Sequence, residues 1–170
     1  MVKTLLISCG TAMAVSACSF SFGGGLDYQK LEDEITKELN TSYSSLDETV
    51  SSVECPEQSP EPKAGSTFDC TAEVGGQTVR IGVQVKDDDY NVSYETKDKL
   101  YDLPTLAAGL GDEVSKQVGF DVTVDCGEGL KAVEVGQTLD CTAADPQGEE
   151  RTVQVTAAPG DQDDNWSLLE

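Results

Sequence analysis

Apolar residues recur at helical spacing near the start of the chain. Every third or fourth position of one stretch is apolar, with charged residues between: Tyr28, Leu31, Ile35 and Leu39. This spacing predicts an amphipathic helix with one buried face. Asp27 is placed to cap its N-terminus and Asn40 its C-terminus. After it, the Ser/Thr-rich residues 41–47 extend the helix or form a loop, and we favour the loop.

The same pattern returns in the second half of the chain, where residues 112–118 repeat residues 33–39. Gly119 replaces Asn40 and is the preferred residue at a helix C-cap. Pro104 suits the first turn of this second helix, whereas Gly109 and Gly111 in its interior each cost about 1 kcal/mol relative to Ala.

Short alternating segments follow each helix, separated by Gly-, Asp- and Pro-containing turns, and predict four strands in each half. They are Val50–Cys55, Thr67–Glu73, Thr78–Lys86 and Asn91–Thr96, and then Asp121–Cys126, Thr138–Ala144, Arg151–Ala157 and Asn165–Leu169. Each sheet has one apolar face that must be buried, and the preceding helix can pack against it. The chain is therefore expected to be α+β, with two tandem modules at residues 26–96 and 97–170. Each module has one helix on a four-stranded antiparallel sheet, and Lys97–Asp102 is a short polar hinge.

Two cysteine pairs repeat in the same frame. Cys55 and Cys70 are fifteen positions apart, as are Cys126 and Cys141. A module of about 70 residues has a marginal core. Closing a loop of roughly 15 residues by a disulfide is worth about 3 kcal/mol in the chain-entropy model. We expect each pair to form the disulfide of its module.

The first residues predict a targeting segment. Residues 1–17 carry one cation, an apolar run too short to span a bilayer, and small residues before Cys18. Residues 15–18 resemble a bacterial lipobox, which implies cleavage before Cys18 and a lipid on its sulfur. Residues 18–25 then form a flexible tether. Cleavage would remove Cys9 and leave only the four repeated cysteines unlipidated. The alternative is an ordinary secretory signal with Cys18 free or disulfide-bonded. Both interpretations place the chain outside the cytoplasm, where disulfides persist.

The first module contains, in this order, the helix, V-x-C-P, a later Gly, F-x-C-T and the following strands. This order of features resembles that of the domain-of-unknown-function family 4333 (DUF4333) of actinobacterial lipoproteins and membrane proteins. The matching residues of the first module are Val53, Cys55, Pro56, Gly65, Phe68, Cys70 and Thr71. The second module departs, with Gly127 in place of the proline and Leu139 in place of Phe68. The resemblance implies a small disulfide-bonded α+β fold and supplies no catalytic site.

Charge and composition exclude several functions. Eleven Lys and Arg against 32 Asp and Glu give a net charge of -21, which repels nucleic acid and anionic headgroups. The sequence has no histidine, and it has no C-x-x-C, penicillin-binding-enzyme or phosphate-loop motif. We expect no enzyme activity, no cofactor and no metal site. Tyr90, Tyr94 and Trp166 either line a ligand surface or pack in the core, and we favour packing.

The expected function is that of a non-catalytic lipoprotein. It would be held by lipid on Cys18 at the extracytoplasmic face of the cell membrane, and it would contact an envelope protein or a wall polymer through its sheets. The alternative is a calcium or small-ligand binder that uses the acidic hairpins at residues 87–89 and 161–165.

Overall fold

The computed structural model describes residues 25–160 and 162–169. The predicted signal peptide, Cys18 and most of the tether lie outside these residues. The described chain is α+β, with two helices and antiparallel sheets, which confirms the predicted fold class. It divides into two compact units, residues 25–98 (the N-terminal unit) and residues 99–169 (the C-terminal unit).

The N-terminal unit has one helix, a single 3-10 turn and one antiparallel sheet of order β1-β2-β3-β4. Its elements are α1 (Tyr28–Ser42), the 3-10 turn (Ser44–Leu46), β1 (Val50–Glu54), β2 (Thr67–Val74), β3 (Gln77–Val85) and β4 (Val92–Thr96). In the apolar stripe of α1, Tyr28 is partly buried, and the other three residues, Leu31, Ile35 and Leu39, are at most 1% exposed. The alternating residues of β3, from Val79 to Val85, are equally buried. These two apolar faces form the core.

The start of α1 is as predicted, but its end is not. The Asp27 carboxylate caps the N-terminus by accepting a hydrogen bond from the Lys30 backbone N–H at 3.1 Å. The helix continues past Asn40 to Ser42, so Asn40 is not the C-cap. Its side-chain oxygen instead accepts a hydrogen bond from the backbone N–H of Val50 at 2.8 Å. This bond fixes where β1 begins.

The C-terminal unit contains one helix, a four-stranded antiparallel sheet of order β10-β9-β8-β6 and a separate two-stranded sheet, β5-β7. Its elements are β5 (Asp98–Asp102), α2 (Leu103–Val118), β6 (Thr123–Asp125), β7 (Leu130–Glu134), β8 (Thr138–Ala144), β9 (Glu150–Thr156) and β10 (Asn165–Leu168). The predicted C-cap of α2 is confirmed, since Gly119 adopts a left-handed conformation with φ 84°.

The prediction that Lys97–Asp102 is a polar hinge is wrong. Asp98–Asp102 forms strand β5, which pairs with β7, a strand that the sequence pattern did not predict. Tyr101 of β5 and Val133 of β7 are each only 7% exposed and belong to the core of the C-terminal unit. This unit therefore has an extra strand pair beside the predicted helix and four-stranded sheet.

Candidate functional site

Both predicted disulfides are present, one in each unit. Cys55 is bonded to Cys70 and Cys126 to Cys141, each with a Cα–Cα distance of 4.3 Å. Cys70 is fully buried in β2, and Cys141 in β8 is 3% exposed. These cysteines lie in the cores and serve stability. Cys18, the predicted lipidation site, lies outside the described residues.

The loop that follows Cys55 is held by hydrogen bonds to α1 and to the β3–β4 turn. The Tyr28 hydroxyl accepts from the Gln58 backbone N–H at 2.9 Å, and the Tyr90 hydroxyl donates to Glu61 Oε2 at 3.0 Å. The pKa of Tyr90 is raised, first by this hydrogen bond to Glu61. Tyr90 is partly exposed in the β3–β4 turn, so the prediction that it packs in the core is wrong, and its hydroxyl contributes to the structure through this hydrogen bond.

The other two aromatic residues singled out from the sequence, Tyr94 and Trp166, pack inward. Tyr94 is 3% exposed, and Trp166 is partly buried against the core of the C-terminal unit.

The acidic hairpins use their carboxylates in turns and ion pairs. Asp87 accepts hydrogen bonds from the Asn91 side chain at 2.7 Å and from the backbone N–H groups of Asp89 and Asn91 at 3.1 Å. The Asn91 side chain is the largest reason that the pKa of Asp87 is lowered. Within residues 25–160 and 162–169, no group of three or more acidic, Cys or His side chains is arranged to hold a metal ion.

Asp164, at the second acidic hairpin, is engaged by three donors. Its oxygens accept hydrogen bonds from Lys99 Nζ at 2.8 Å, from the Ala158 backbone N–H at 2.8 Å and from the Tyr101 hydroxyl at 3.0 Å. The pKa of Tyr101 is raised, chiefly by burial and secondly by the charge of Asp164. This network connects β5 to the segment before β10.

The N-terminal unit carries a shallow depression on the outer face of its sheet, with a volume of about 520 Å³. We call it the outer-face depression. Gly82 lies in it, and a Cβ at this position would come within 3.0 Å of the Lys97 side chain. Lys97 pairs with Asp69 across the sheet at 2.6 Å. Because Gly82 has no side chain, the Lys97 side chain can pass over the backbone of β3 here and reach Asp69.

The C-terminal unit fills the equivalent position. Gly82 lies opposite Asp69, and Gln154 lies opposite Asp140 in the same register. The Gln154 side chain donates a hydrogen bond to Asp140 Oδ1 at 2.9 Å. Of these two register positions, the one in the N-terminal unit has no side chain.

A second surface lies at the C-terminal end of α2. It is a groove of about 280 Å³ between the helix and the inner face of the sheet, and we call it the helix-end groove. Its apolar lining is Val114, Val118, Phe120, Val122, Ala143 and Leu168, and its charged lining is Asp145, Glu149 and Arg151. Phe120 is 49% exposed, which is unusual for so large an apolar side chain.

Sequence reasoning did not single out Gly82 or Phe120. A glycine inside an alternating strand is a signal of close backbone approach and could have identified the depression. Phe120 directly follows a helix C-cap, a position at which the sequence gives no indication of exposure.

One family model matches the chain. The model described as Domain of unknown function (DUF4333) matches residues 13–89, which covers most of the N-terminal unit and supports the resemblance seen there. No match was found among curated proteins or among solved structures. Among the described residues, no helix is long and apolar enough to cross a membrane.

Proposed function

We propose that this protein is a non-catalytic, lipid-anchored protein of the actinobacterial cell envelope, displayed on the extracytoplasmic face of the membrane. In this proposal residues 1–17 are a signal peptide, and lipid on Cys18 is the anchor. Two tandem DUF4333-like modules bind an envelope component, either a protein or a wall polymer. The second module has diverged by gaining the β5-β7 pair.

The observation that carries the proposal is the assignment of the cysteines. Each compact unit contains one internal disulfide, so all four cysteines after Cys18 are paired. Structural disulfides are typical of proteins in an oxidising compartment. Cys18, in its lipobox-like context, is then the one cysteine after the predicted cleavage site that needs a different role.

The anchor is tested by feeding cells an alkyne-labelled fatty acid and isolating the protein. The wild-type chain and Cys9→Ala should carry the label, because Cys9 leaves with the signal peptide, whereas Cys18→Ala should carry none. Label retained by Cys18→Ala would contradict lipidation at this cysteine.

Binding through the outer-face depression is tested with Gly82→Gln, which copies the side chain of the C-terminal unit. The wild-type chain should retain a saturable envelope component from cell-wall and membrane extracts, and Gly82→Gln should retain less at an unchanged melting temperature. Equal retention by both chains would exclude this surface as the binding site.

A further inference from the structure

We propose that the helix-end groove is a docking site for a short segment of a partner protein, apolar at its centre and flanked by Lys or Arg. This proposal concerns a different surface from the outer-face depression and does not depend on the lipid anchor.

The two units differ at this end of the sheet. In the N-terminal unit, Val74 and Val79 occupy the last inward-facing positions of β2 and β3, and both are 0% exposed. In the C-terminal unit, Arg151 of β9 occupies the position of Val79, and Asp145, the residue that follows β8, occupies the position of Val74. The apolar core thus reaches the end of one sheet and is replaced by charged residues at the end of the other.

The connection after the helix differs in the same place. Cys55 follows Leu39 by sixteen positions in the N-terminal unit, whereas Cys126 follows Val118, the residue that matches Leu39 in the helix pattern, by eight. The longer connection contains Tyr43, which is partly buried, and burial, followed by the nearby charge of Asp98, raises its pKa to about 12. The shorter connection supplies no equivalent, and Val118 is partly exposed. The C-terminal unit therefore lacks a segment that its N-terminal counterpart has.

Hydrogen bonds within the C-terminal unit hold both walls of the helix-end groove in place before any partner binds. The Ser115 hydroxyl accepts a hydrogen bond from the Val122 backbone N–H at 2.8 Å, and Gly119 N–H bonds the Ser115 carbonyl at 2.9 Å. On the opposite wall, Asp145 Oδ1 accepts from the backbone N–H groups of Gln147 and Glu149, each at 2.8 Å. A groove that is already ordered loses little conformational entropy when a partner binds.

The size of the groove fits side chains better than a cofactor. Pockets for small molecules start at about 300 Å³, and this groove is slightly smaller and open. The apolar floor with an exposed aromatic residue is typical of surfaces that receive the anchor residues of a peptide.

Charge decides which partner fits. The groove is lined by two acidic side chains, Asp145 and Glu149, and one cation, Arg151, and Asp121 is exposed beside Phe120. The whole chain carries a charge of -21, so a second copy would meet strong repulsion, whereas a basic segment would be attracted. The flanking residues of the partner are therefore Lys or Arg.

The test uses the full chain, in phosphatidylcholine nanodiscs if it is lipidated and free in solution if it is not. Three fluorescent peptides are titrated: one alternating Leu and Phe with Lys, and two others with Gln or Glu at the Lys positions. The Lys peptide should bind about tenfold more tightly than the Gln peptide at low salt, and raising the salt should reduce the difference. The Glu peptide should bind most weakly.

Variants locate the site. Phe120→Ser should weaken binding of the Lys peptide about tenfold, as expected for an aromatic anchor contact. Glu149→Gln should weaken it about threefold, as expected for a charge at the rim. Leu169→Ser is the matched control, because Leu169 is similarly exposed at 40% but does not line the groove, and it should leave binding unchanged. Melting temperatures of all three should stay near that of the wild type.

Other outcomes overturn the proposal. Equal affinity for the three peptides, or no effect of Phe120→Ser, would show that no basic segment docks here. Phe120-dependent dimers in sedimentation experiments would assign the groove to a second copy. Tighter peptide binding by Phe20→Ser/Phe22→Ser would show that the chain's own tether occupies it.

Discussion

The carboxylate of Asp98 accepts two hydrogen bonds from Arg80 to one of its oxygens, at 2.8 Å from the backbone N–H and at 2.9 Å from Nε. Its other oxygen pairs with Arg80 Nη2. The Asp98 side chain is only 7% exposed, so water cannot replace these bonds. Burial alone would raise the pKa of Asp98, but the bonds from Arg80 outweigh it and hold that pKa below its ordinary value.

We expect Asp98→Asn to lower the free energy of unfolding by about 2 kcal/mol at neutral pH, because hydrogen bonds to a charged group are lost. The folded-state pKa is the lower one, so this contribution is complete above the unfolded-state pKa of about 3.9 and is lost as the pH falls through the folded-state value. Urea unfolding of the wild-type chain and of Asp98→Asn at a series of pH values from neutral to acidic measures this contribution to stability.

Asp69→Asn is the matched control for this experiment. Asp69 pairs with Lys97, but its side chain is 50% exposed, so Asp69→Asn should lower the free energy of unfolding by about 0.5 kcal/mol or less. If both variants lowered the free energy of unfolding equally, the assigned role of the Arg80 contact would be contradicted. The same holds if the effect of Asp98→Asn did not depend on pH.

Each disulfide should stabilise the unit that contains it. The double variant Cys55→Ala/Cys70→Ala should lose about 3 kcal/mol, with faster hydrogen exchange in residues 25–98 and little change in residues 99–169. The variant Cys126→Ala/Cys141→Ala should show the opposite distribution. Mass spectrometry of the unreduced wild-type chain should find the two pairs of the structure, and crossed pairs would contradict the division into units.

Local patterns in the sequence predicted the elements that depend on local physics. The stripe from Leu31 to Leu39 and the alternation from Val79 to Val85 each specify one buried face, so the start of the helix and both ends of the strand were found within one residue, whereas the helix ends three residues later than predicted. The spacing of the cysteines likewise predicted both disulfides.

The features that were missed depend on distant partners. Residues 97–102 contain mostly polar residues, and β5 forms there because β7, about thirty residues later, supplies its hydrogen-bonding partner. Asn40 has the chemistry of a C-cap, but the start of β1 uses its side chain instead. The outer-face depression depends on residues of the neighbouring strands that lie beside Gly82. Those residues are distant in the sequence, so the pattern of β3 alone does not predict the depression.

Two glycines of α2 should respond in opposite directions to substitution by alanine. A Cβ at Gly109 would meet nothing within 4 Å, so Gly109→Ala should raise the free energy of unfolding by about 1 kcal/mol through helix propensity. Gly119 has φ 84°, which alanine adopts poorly, so Gly119→Ala should lower it by about 1 kcal/mol. Urea unfolding of the two variants measures both effects, and a change of the same sign in both would contradict the described end of α2.

Millimolar calcium should leave the melting temperature unchanged. A cation at either acidic hairpin would have to displace the donors that already occupy Asp87 and Asp164. A site whose dissociation constant is a hundredfold below the calcium concentration would add about 2.7 kcal/mol to the stability, which thermal unfolding easily detects. Sodium chloride of equal ionic strength controls for general screening of the negative charge. If calcium, but not sodium chloride, raised the melting temperature of the wild type and Asp87→Asn or Asp164→Asn abolished that rise, the cation-binding alternative would be restored at the corresponding hairpin.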